Sequence, residues 1–346
     1  MPEDELVRNQ QAILETKIAG PITVGQIVDA VSNQYDFDGH KPENLHQLHR
    51  GLETTKFTFW AGKEPLLLKI YDSSASRPPR FRLRNVSGLE TKLKEAGVPI
   101  SETVETKDRH SFITLEARPT PNRKYHVAAA VSRVFPGHVL TNPSVEDVQK
   151  IAEYMARIHQ IKDYGVVPAM DSWSLLRLVR AVDNHQYFPP EGLKDILTTI
   201  NPTVDKVRAL GLDDKKKFPQ TLVHGDLHSF NILKEEGGKY CILDLGCMDH
   251  EQRLADLAIF MSNTCADFTD LEKTTRLFSA TTQAYEARNQ LTPSERQALP
   301  VLIQANYAMF ALRTAELLQA DPDDQEIRDW HKHGMKGLQI MEDVKV

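Results

Sequence analysis

Residues Thr221 to Gly246 read TLVHGDLHSFNILKEEGGKYCILDLG. Two acids and one amide stand in fixed order here: Asp226, then Asn231 five residues later, then Asp244 thirteen after that. Each acid closes a short apolar, strand-like piece, Leu222-Val223 before one and Cys241-Ile242-Leu243 before the other. Gly237-Gly238 supplies a turn between two short strands. A hairpin over this stretch would bring Asp226, Asn231 and Asp244 to one end. Two carboxylates and an amide oxygen form a hard, oxygen-rich set that suits Mg²⁺.

The rest of the chain frames that motif. At 346 residues it is long enough for two lobes, at roughly 100–200 residues each. Hydrophobic residues at 40% and charged residues at 26% describe an ordinary globular composition. No apolar run approaches the roughly 18 residues of a membrane span, so no membrane partner is expected. The start, Met1-Pro2-Glu3-Asp4-Glu5, is too acidic for a secretory signal or a transit peptide. Cys241, Cys247 and Cys265 lack Cys-x-x-Cys spacing, which argues against a disulfide scaffold or a structural zinc site and for a reduced, cytoplasmic setting. A net charge of −6 argues against nucleic acid as a partner.

Strand patterns fill the first 140 or so residues and helix patterns most of the remainder. Thr23 and Gln26 form a capping box ahead of Val24, Ile27, Val28 and Val31, which predicts a short helix against the next unit. Residues 46–72 read as a hairpin turning at Ala61-Gly62-Lys63, its second strand Leu66-Leu67-Leu68-Lys69-Ile70-Tyr71. Residues 84–96 read as a helix stopped by Gly97-Val98-Pro99. Strands are predicted over 111–117 and 125–135, and helices from Ser144, over 172–183, and from the capping box Thr292-Pro293-Ser294-Glu295. The economical architecture is α+β: a small antiparallel β-rich N-lobe, a tight connector and a larger α-helical C-lobe. The boundaries expected are an N-terminal extension with a short helix over 1–45, an N-lobe over 46–131, a hinge over 132–137 and a C-lobe over 138–346.

Phosphoryl transfer from ATP is the reaction such a set would serve. One carboxylate orients an acceptor hydroxyl and takes its proton; the other acid and the amide hold metal ions on the phosphates; a strand lysine meets the α- and β-phosphates. Lys69 suits that last role, because a charge inside an apolar strand is costly without an anionic partner. HGDLHSFNIL followed by ILDLG resembles the aminoglycoside phosphotransferase/choline kinase family, including its homoserine-kinase-like members, over about residues 23–340. LHRGLETTKFTFW resembles the family's phosphate-loop hairpin, LLLKIY its lysine strand, AGVPI the end of its αC-like helix, VSRVFPG its hinge, IAEYMARIHQ the following helix, and RLADLA the segment after the metal aspartate.

The resemblance implies a two-lobed protein-kinase-like fold and an ATP-dependent kinase for a hydroxyl on a small molecule; a monomer or homodimer is expected. It implies that Asp226 is the catalytic base or hydroxyl-orienting carboxylate, Asn231 and Asp244 are Mg²⁺ ligands, and Lys69 binds phosphate. It further implies that the backbone of Arg133 and Phe135 holds adenine, that His224 braces the catalytic loop, and that Asp256 orders it from behind. The phosphate loop from His49 to Thr54 has a single glycine, Gly51, and Glu90 is the best candidate to pair with Lys69.

Blander readings stand beside these. Asp226, Asn231 and Asp244 could be loop-capping Asx residues. Lys69 could guard an edge strand. Glu90, His331, His333 and the acidic run Asp321 to Glu326 could be solvated. The helix bearing Asn306, Tyr307, Arg313 and Glu316 is expected to face the acceptor. The rival functions are a protein serine/threonine kinase and a catalytically inactive nucleotide-binding module. His228, where protein kinases carry lysine, argues against the first; the intact Lys69, Asp226, Asn231 and Asp244 argue against the second. The acceptor itself stays open among aminoglycoside, choline or ethanolamine, homoserine and sugar.

Overall fold

The computed structural model describes residues 13–15, 21–48, 54–71, 88–120, 123–165, 173–186 and 192–341. The chain divides into two compact units, Met1–Thr91 with Ile100–Pro136, and Lys92–Pro99 with Gly137–Val346. No helix among the described residues is long and apolar enough to cross a membrane.

The first unit begins with β1 (Ile13–Glu15) and β2 (Pro21–Thr23), an antiparallel pair. Its body is a five-stranded antiparallel sheet of β3 (Pro42–Leu48), β4 (Thr54–Ala61), β5 (Glu64–Tyr71), β6 (Ile113–Thr120) and β7 (Arg123–Arg133), in the order β3-β4-β5-β7-β6. Alternation sorts β5 into two faces. Leu66, Leu68 and Ile70 are buried, while Leu67, Lys69 and Tyr71 are half-buried. The buried row joins Phe57, Phe59, Ile113, Leu115 and Val131 in one core. Helix α1 (Val24–Gln34) adds Ile27 and Val31, with Tyr35 just beyond it, to the same core. It starts where expected, Gln26 N–H donating to Thr23 Oγ1 at 3.1 Å and Thr23 N–H to Gln26 Oε1 at 2.9 Å. Each aliphatic side chain so buried contributes roughly 1.5–3 kcal/mol, which is how a helix drawn as part of an extension becomes part of the core.

Residues 88–95 form α2, described as helical from Gly88 on. It closes as predicted: Gly97 takes φ +70° and Val98 N–H reaches back to Leu93 O at 2.9 Å.

The second unit is mainly helical: α3 (Val145–Gln160), α4 (Leu178–Gln186), α5 (Lys194–Leu210), α6 (Leu254–Phe260), α7 (Leu271–Glu286), α8 (Pro293–Ala320) and α9 (Gln325–Ile340). Capping boxes open α3 at Ser144 and α8 at Thr292, the latter with proline in the first turn. The helix predicted over 172–183 is a 3-10 turn, Leu175–Arg177, followed by α4. Helix α5 is not predicted from sequence, because Pro202 interrupts its pattern. A π-helical turn, Met261–Cys265, continues α6. Two small ladders complete the unit. One is β11-β10-β8, from β8 (His138–Val139), β10 (Ile232–Lys234) and β11 (Tyr240–Ile242). The other pairs β9 (Gln220–Val223) with β12 (Asp249–Gln252).

Helix α9 lies tightly on α8. A Cβ at Gly334 would meet Ala311 N at 2.8 Å and Tyr307 O at 2.9 Å, and one at Gly337 would overlap the Tyr307 ring. That close approach sets Trp330 against the Phe310 ring, stacked with centroids 5.0 Å apart.

Candidate active site

The decisive stretch folds as the hairpin its pattern predicts. Ile232 pairs with Ile242 and Leu233 with Cys241, and Leu243 N–H donates to Asn231 O at 2.9 Å. Asn231 and Asp244 therefore stand side by side where the ladder ends. Asp226 is joined to Asn231 directly. Asn231 Nδ2 donates to the Asp226 carbonyl and to Asp226 Oδ2, both at 2.8 Å, which leaves Asn231 Oδ1 as the acceptor end of that amide. The Asp226 carboxylate is 39% exposed, open enough to meet a ligand. His228 Nε2 lies 3.4 Å from its other oxygen, Oδ1.

His224 ties the two acidic segments together. Its Nδ1 accepts the Asp226 N–H at 3.3 Å, and its Nε2 donates to the carbonyl of Leu243, the residue before Asp244, at 2.9 Å. Two backbone positions carry conformations that favour glycine. Gly225 sits at φ +81°, where a Cβ would overlap the Cys247 carbonyl oxygen, so no other residue fits. Asp244 sits at φ +57° without being glycine, the kind of local strain that clusters at functional sites. Asp244 makes no side-chain cap of the 3-10 turn that follows it, Leu245–Cys247, whereas Asn231 does tie the loop backbone through the Asp226 carbonyl.

Behind the loop, Asp256 is fully buried, and its carboxylate receives His224 N–H at 2.7 Å, Gly225 N–H at 2.8 Å and His159 Nε2 at 2.9 Å. Burial alone would raise its pKa. Hydrogen bonds from His159 Nε2 and the His224 N–H, with the electrostatic influence of the two rings, outweigh burial and leave it lowered.

The oxygen set fits a divalent cation: the Asp244 carboxylate and Asn231 Oδ1 are hard donors at one end of one hairpin. No group of three or more His, Cys, Asp or Glu converges among the described residues, so any ion held here would take its remaining ligands from substrate or water.

In the first unit, Lys69 occupies β5, the middle strand of five, so an edge-guarding role is overturned. Lys56 of β4 stands directly opposite it on the same half-buried face. Like charges directly opposite repel, an arrangement suited to a shared anion. Sequence reasoning missed Lys56, since only the strand register reveals it. Glu90 is half-buried and accepts a hydrogen bond from Thr103 Oγ1. Arg133 N–H donates to Glu102 O at 2.8 Å and the Arg133 carbonyl accepts from Ser101 Oγ at 3.1 Å, while Phe135 follows β7 by two residues. Gly51 lies outside the described residues.

Beside Asp226, an aromatic wall appears that the sequence did not disclose. The His228 ring meets Phe230 and Trp330 edge to face, each at 5.9 Å between centroids, and Phe230 meets Trp330 at 5.9 Å. Phe230 is 44% exposed. His333, expected to be solvated, instead packs among Phe268, Tyr307 and Trp330, and burial first, then the neighbouring His228, pulls its pKa down to about 4. His331 is also held, by Thr314 Oγ1 at 2.9 Å. Of the α8 residues expected to face the acceptor, Asn306 and Tyr307 are buried and bond Ser262 instead, at 2.7 Å each. Arg313 and Glu316 are partly exposed and paired at 2.8 Å, with His185 on the same carboxylate at 2.5 Å. The acidic run is structural in part: Asp324 caps α9 by accepting Ile327 N–H at 3.1 Å. A cleft of about 780 Å³ lined by His159, Tyr164, Asp249 and His250 contains none of Asp226, Asn231 or Asp244.

The chain belongs to the phosphotransferase enzyme family, whose sequence profile matches residues 44–296. Its reaction class is therefore phosphoryl transfer. It is 22% identical to a homoserine kinase of Caulobacter vibrioides (strain NA1000 / CB15N) over 83% of this chain and 85% of that protein. It is 22% identical to a homoserine kinase of Methylobacillus flagellatus over 78% of each. Among solved structures, an amicoumacin kinase in complex with AMP-PNP, Ca²⁺ and Ami superposes with TM-score 0.69 at 14% identity, covering 99% of this chain and 96% of that one. A spectinomycin phosphotransferase with ADP and spectinomycin gives TM-score 0.65 at 13% identity, covering 93% and 98%. The fold is the α+β, protein-kinase-like fold expected.

Proposed function

We propose that the chain transfers the γ-phosphate of ATP, with Mg²⁺, to the hydroxyl of a small amino alcohol, homoserine being the first acceptor to test. The observation that carries this is the Asp226 carboxylate, half exposed and fixed through Asn231 beside Asp244. Asp226 orients the acceptor hydroxyl and takes its proton as the oxygen attacks phosphorus and ADP leaves. Asn231 Oδ1 and the Asp244 carboxylate would hold the divalent ion, which when bound neutralises charge on the phosphates. In the first unit, Lys69 and Lys56 would bind phosphate, with Glu90 orienting Lys69, and Gly51 would belong to the phosphate loop. The Phe135 N–H and the second lone pair of the Arg133 carbonyl would read adenine, within a hinge over 132–137.

An amino alcohol is favoured by two things. The named relatives are homoserine kinases, and the aromatic wall of Phe230 and Trp330 beside Asp226 suits an ammonium group over a ring face. The test is phosphorus NMR of reactions with ATP, Mg²⁺ and one acceptor each: L-homoserine, ethanolamine, choline, an aminoglycoside, a hexose and a generic protein substrate. A new phosphomonoester with L-homoserine or another amino alcohol is expected. Transfer to the hexose or the protein alone would overturn the acceptor class. Nucleotide binding without transfer to anything would favour the inactive module.

A further inference from the structure

We infer that Tyr285 is a positioning residue for phosphoryl transfer, through a one-directional relay of buried and half-buried hydrogen bonds that ends on the backbone of the catalytic loop. The inference rests on the reading of Asp226 as the catalytic carboxylate.

The relay begins at a buried ion pair. Arg253 Nε and Nη2 donate to the two oxygens of Glu295, each at 2.7 Å, and both side chains are buried. Glu295 is anchored in turn, since its Oε2 also accepts Thr292 N–H at 2.7 Å in the capping box of α8. Arg253 Nη1 then donates to Asn289 Oδ1 at 2.6 Å. With its oxygen so used, Asn289 presents Nδ2 to the Tyr285 hydroxyl at 3.1 Å. Tyr285 is fully buried, and its hydroxyl oxygen already accepts. Its hydrogen must go to the other neighbour, His159 Nδ1, at 2.7 Å. A His159 Nδ1 that accepts leaves the ring hydrogen on Nε2, which faces Asp256 Oδ2 at 2.9 Å. Asp256 also accepts the N–H groups of His224 and Gly225.

The direction of each bond follows from the one before, so a single arrangement satisfies every member. A fully connected polar network rigidifies what it touches, and here it touches the peptide that leads into Asp226. That peptide needs holding, because Gly225 is pinned at φ +81° against Cys247. Without the Tyr285 hydroxyl, His159 Nδ1 loses its donor, the ring is held from the Nε2 side alone, and the Asp256 carboxylate it steadies is free to tilt. The loop amides then sample other geometries while the nucleotide ligands stay in place.

The test is Tyr285→Phe in the full chain, which keeps the ring and removes only the hydroxyl. Two readouts are taken: kcat and KM for ATP and L-homoserine (slow ATP hydrolysis if no acceptor turns over), and amide hydrogen exchange across residues 222–227. The relay predicts a fall in kcat of about 5- to 30-fold, the scale of one buried hydrogen bond, with both KM values within twofold. It predicts exchange at least tenfold faster at residues 222–227 and unchanged in the core of α8. Combining Tyr285→Phe with Asp256→Asn should cost no more than Asp256→Asn alone. Unchanged exchange with wild-type kcat would overturn the relay, as would a rise in KM that accounts for the loss. Asp226→Asn runs alongside: if it is inactive while Tyr285→Phe is wild type, the relay alone is wrong, and if both are wild type, the assignment of Asp226 is wrong too. Should Tyr285→Phe not fold, Asn289→Ala is read in the same way.

Discussion

At Gly225 the backbone takes φ +81° with the Cys247 carbonyl where a Cβ would go. Gly225→Ala should therefore lower the melting temperature and reduce turnover together, measured by calorimetry and a coupled ADP assay. Lys56 makes a contrasting case. Its identity in the sequence is unremarkable, and its meaning comes from facing Lys69 across β4 and β5. Lys56→Ala should raise the KM for ATP about tenfold or more, since hydrogen bonds to charged groups contribute roughly 1.5–3 kcal/mol; unchanged ATP affinity would remove Lys56 from the phosphate site. The same contrast explains what could be read in advance. Asp226, Asn231 and Asp244 were legible because they lie close in the chain, in and just before one hairpin. Lys56, Trp330 and Tyr285 were not, because their neighbours come from register and helix packing rather than spacing.

Among the elements, those that announce their own ends were the readable ones. Thr23, Ser144 and Thr292 each cap a helix, with the third residue after each closing the box. Helix α5 closes on a left-handed Gly211 but has no capping signal at its start: Leu193 makes no side-chain cap and Pro202 breaks the pattern midway, so tertiary burial of Ile200, Val204 and Val207 holds it instead. The packing of α9 on α8 is set by Gly334, whose missing side chain admits the backbone of Ala311 and Tyr307. Gly334→Val should cost about 1–3 kcal/mol, the usual scale of overpacking, measured by urea unfolding. It should also raise the KM for the acceptor, since Trp330 rides on the same helix beside His228.

For the whole molecule, the order of patterns, strands first and helices after, was enough to predict an α+β chain of two parts. The wider electrostatics needed the structure. His333 has a pKa held down to about 4 from 6.5, chiefly by burial. The unfolded chain therefore binds the extra proton first, and stability is lost as pH falls from about 6.5 toward 4. Asp147 acts lower on the scale. Burial opposes its charge, but hydrogen bonds from Lys234, Ser144 and Tyr240 hold its pKa at about 2, so the stability it contributes disappears as pH falls from about 3.8 to about 2. Urea unfolding across this range should show both declines, and His333→Gln should flatten the first while leaving the second.

The most direct measurement is the rate of phosphate transfer by Asp226→Asn, compared with wild type at saturating ATP, Mg²⁺ and acceptor, with nucleotide affinity determined separately. Loss of the positioned acid–base group should cut kcat by about 10²–10⁴-fold with nucleotide binding nearly unchanged. Full turnover by that variant would contradict the account at its centre.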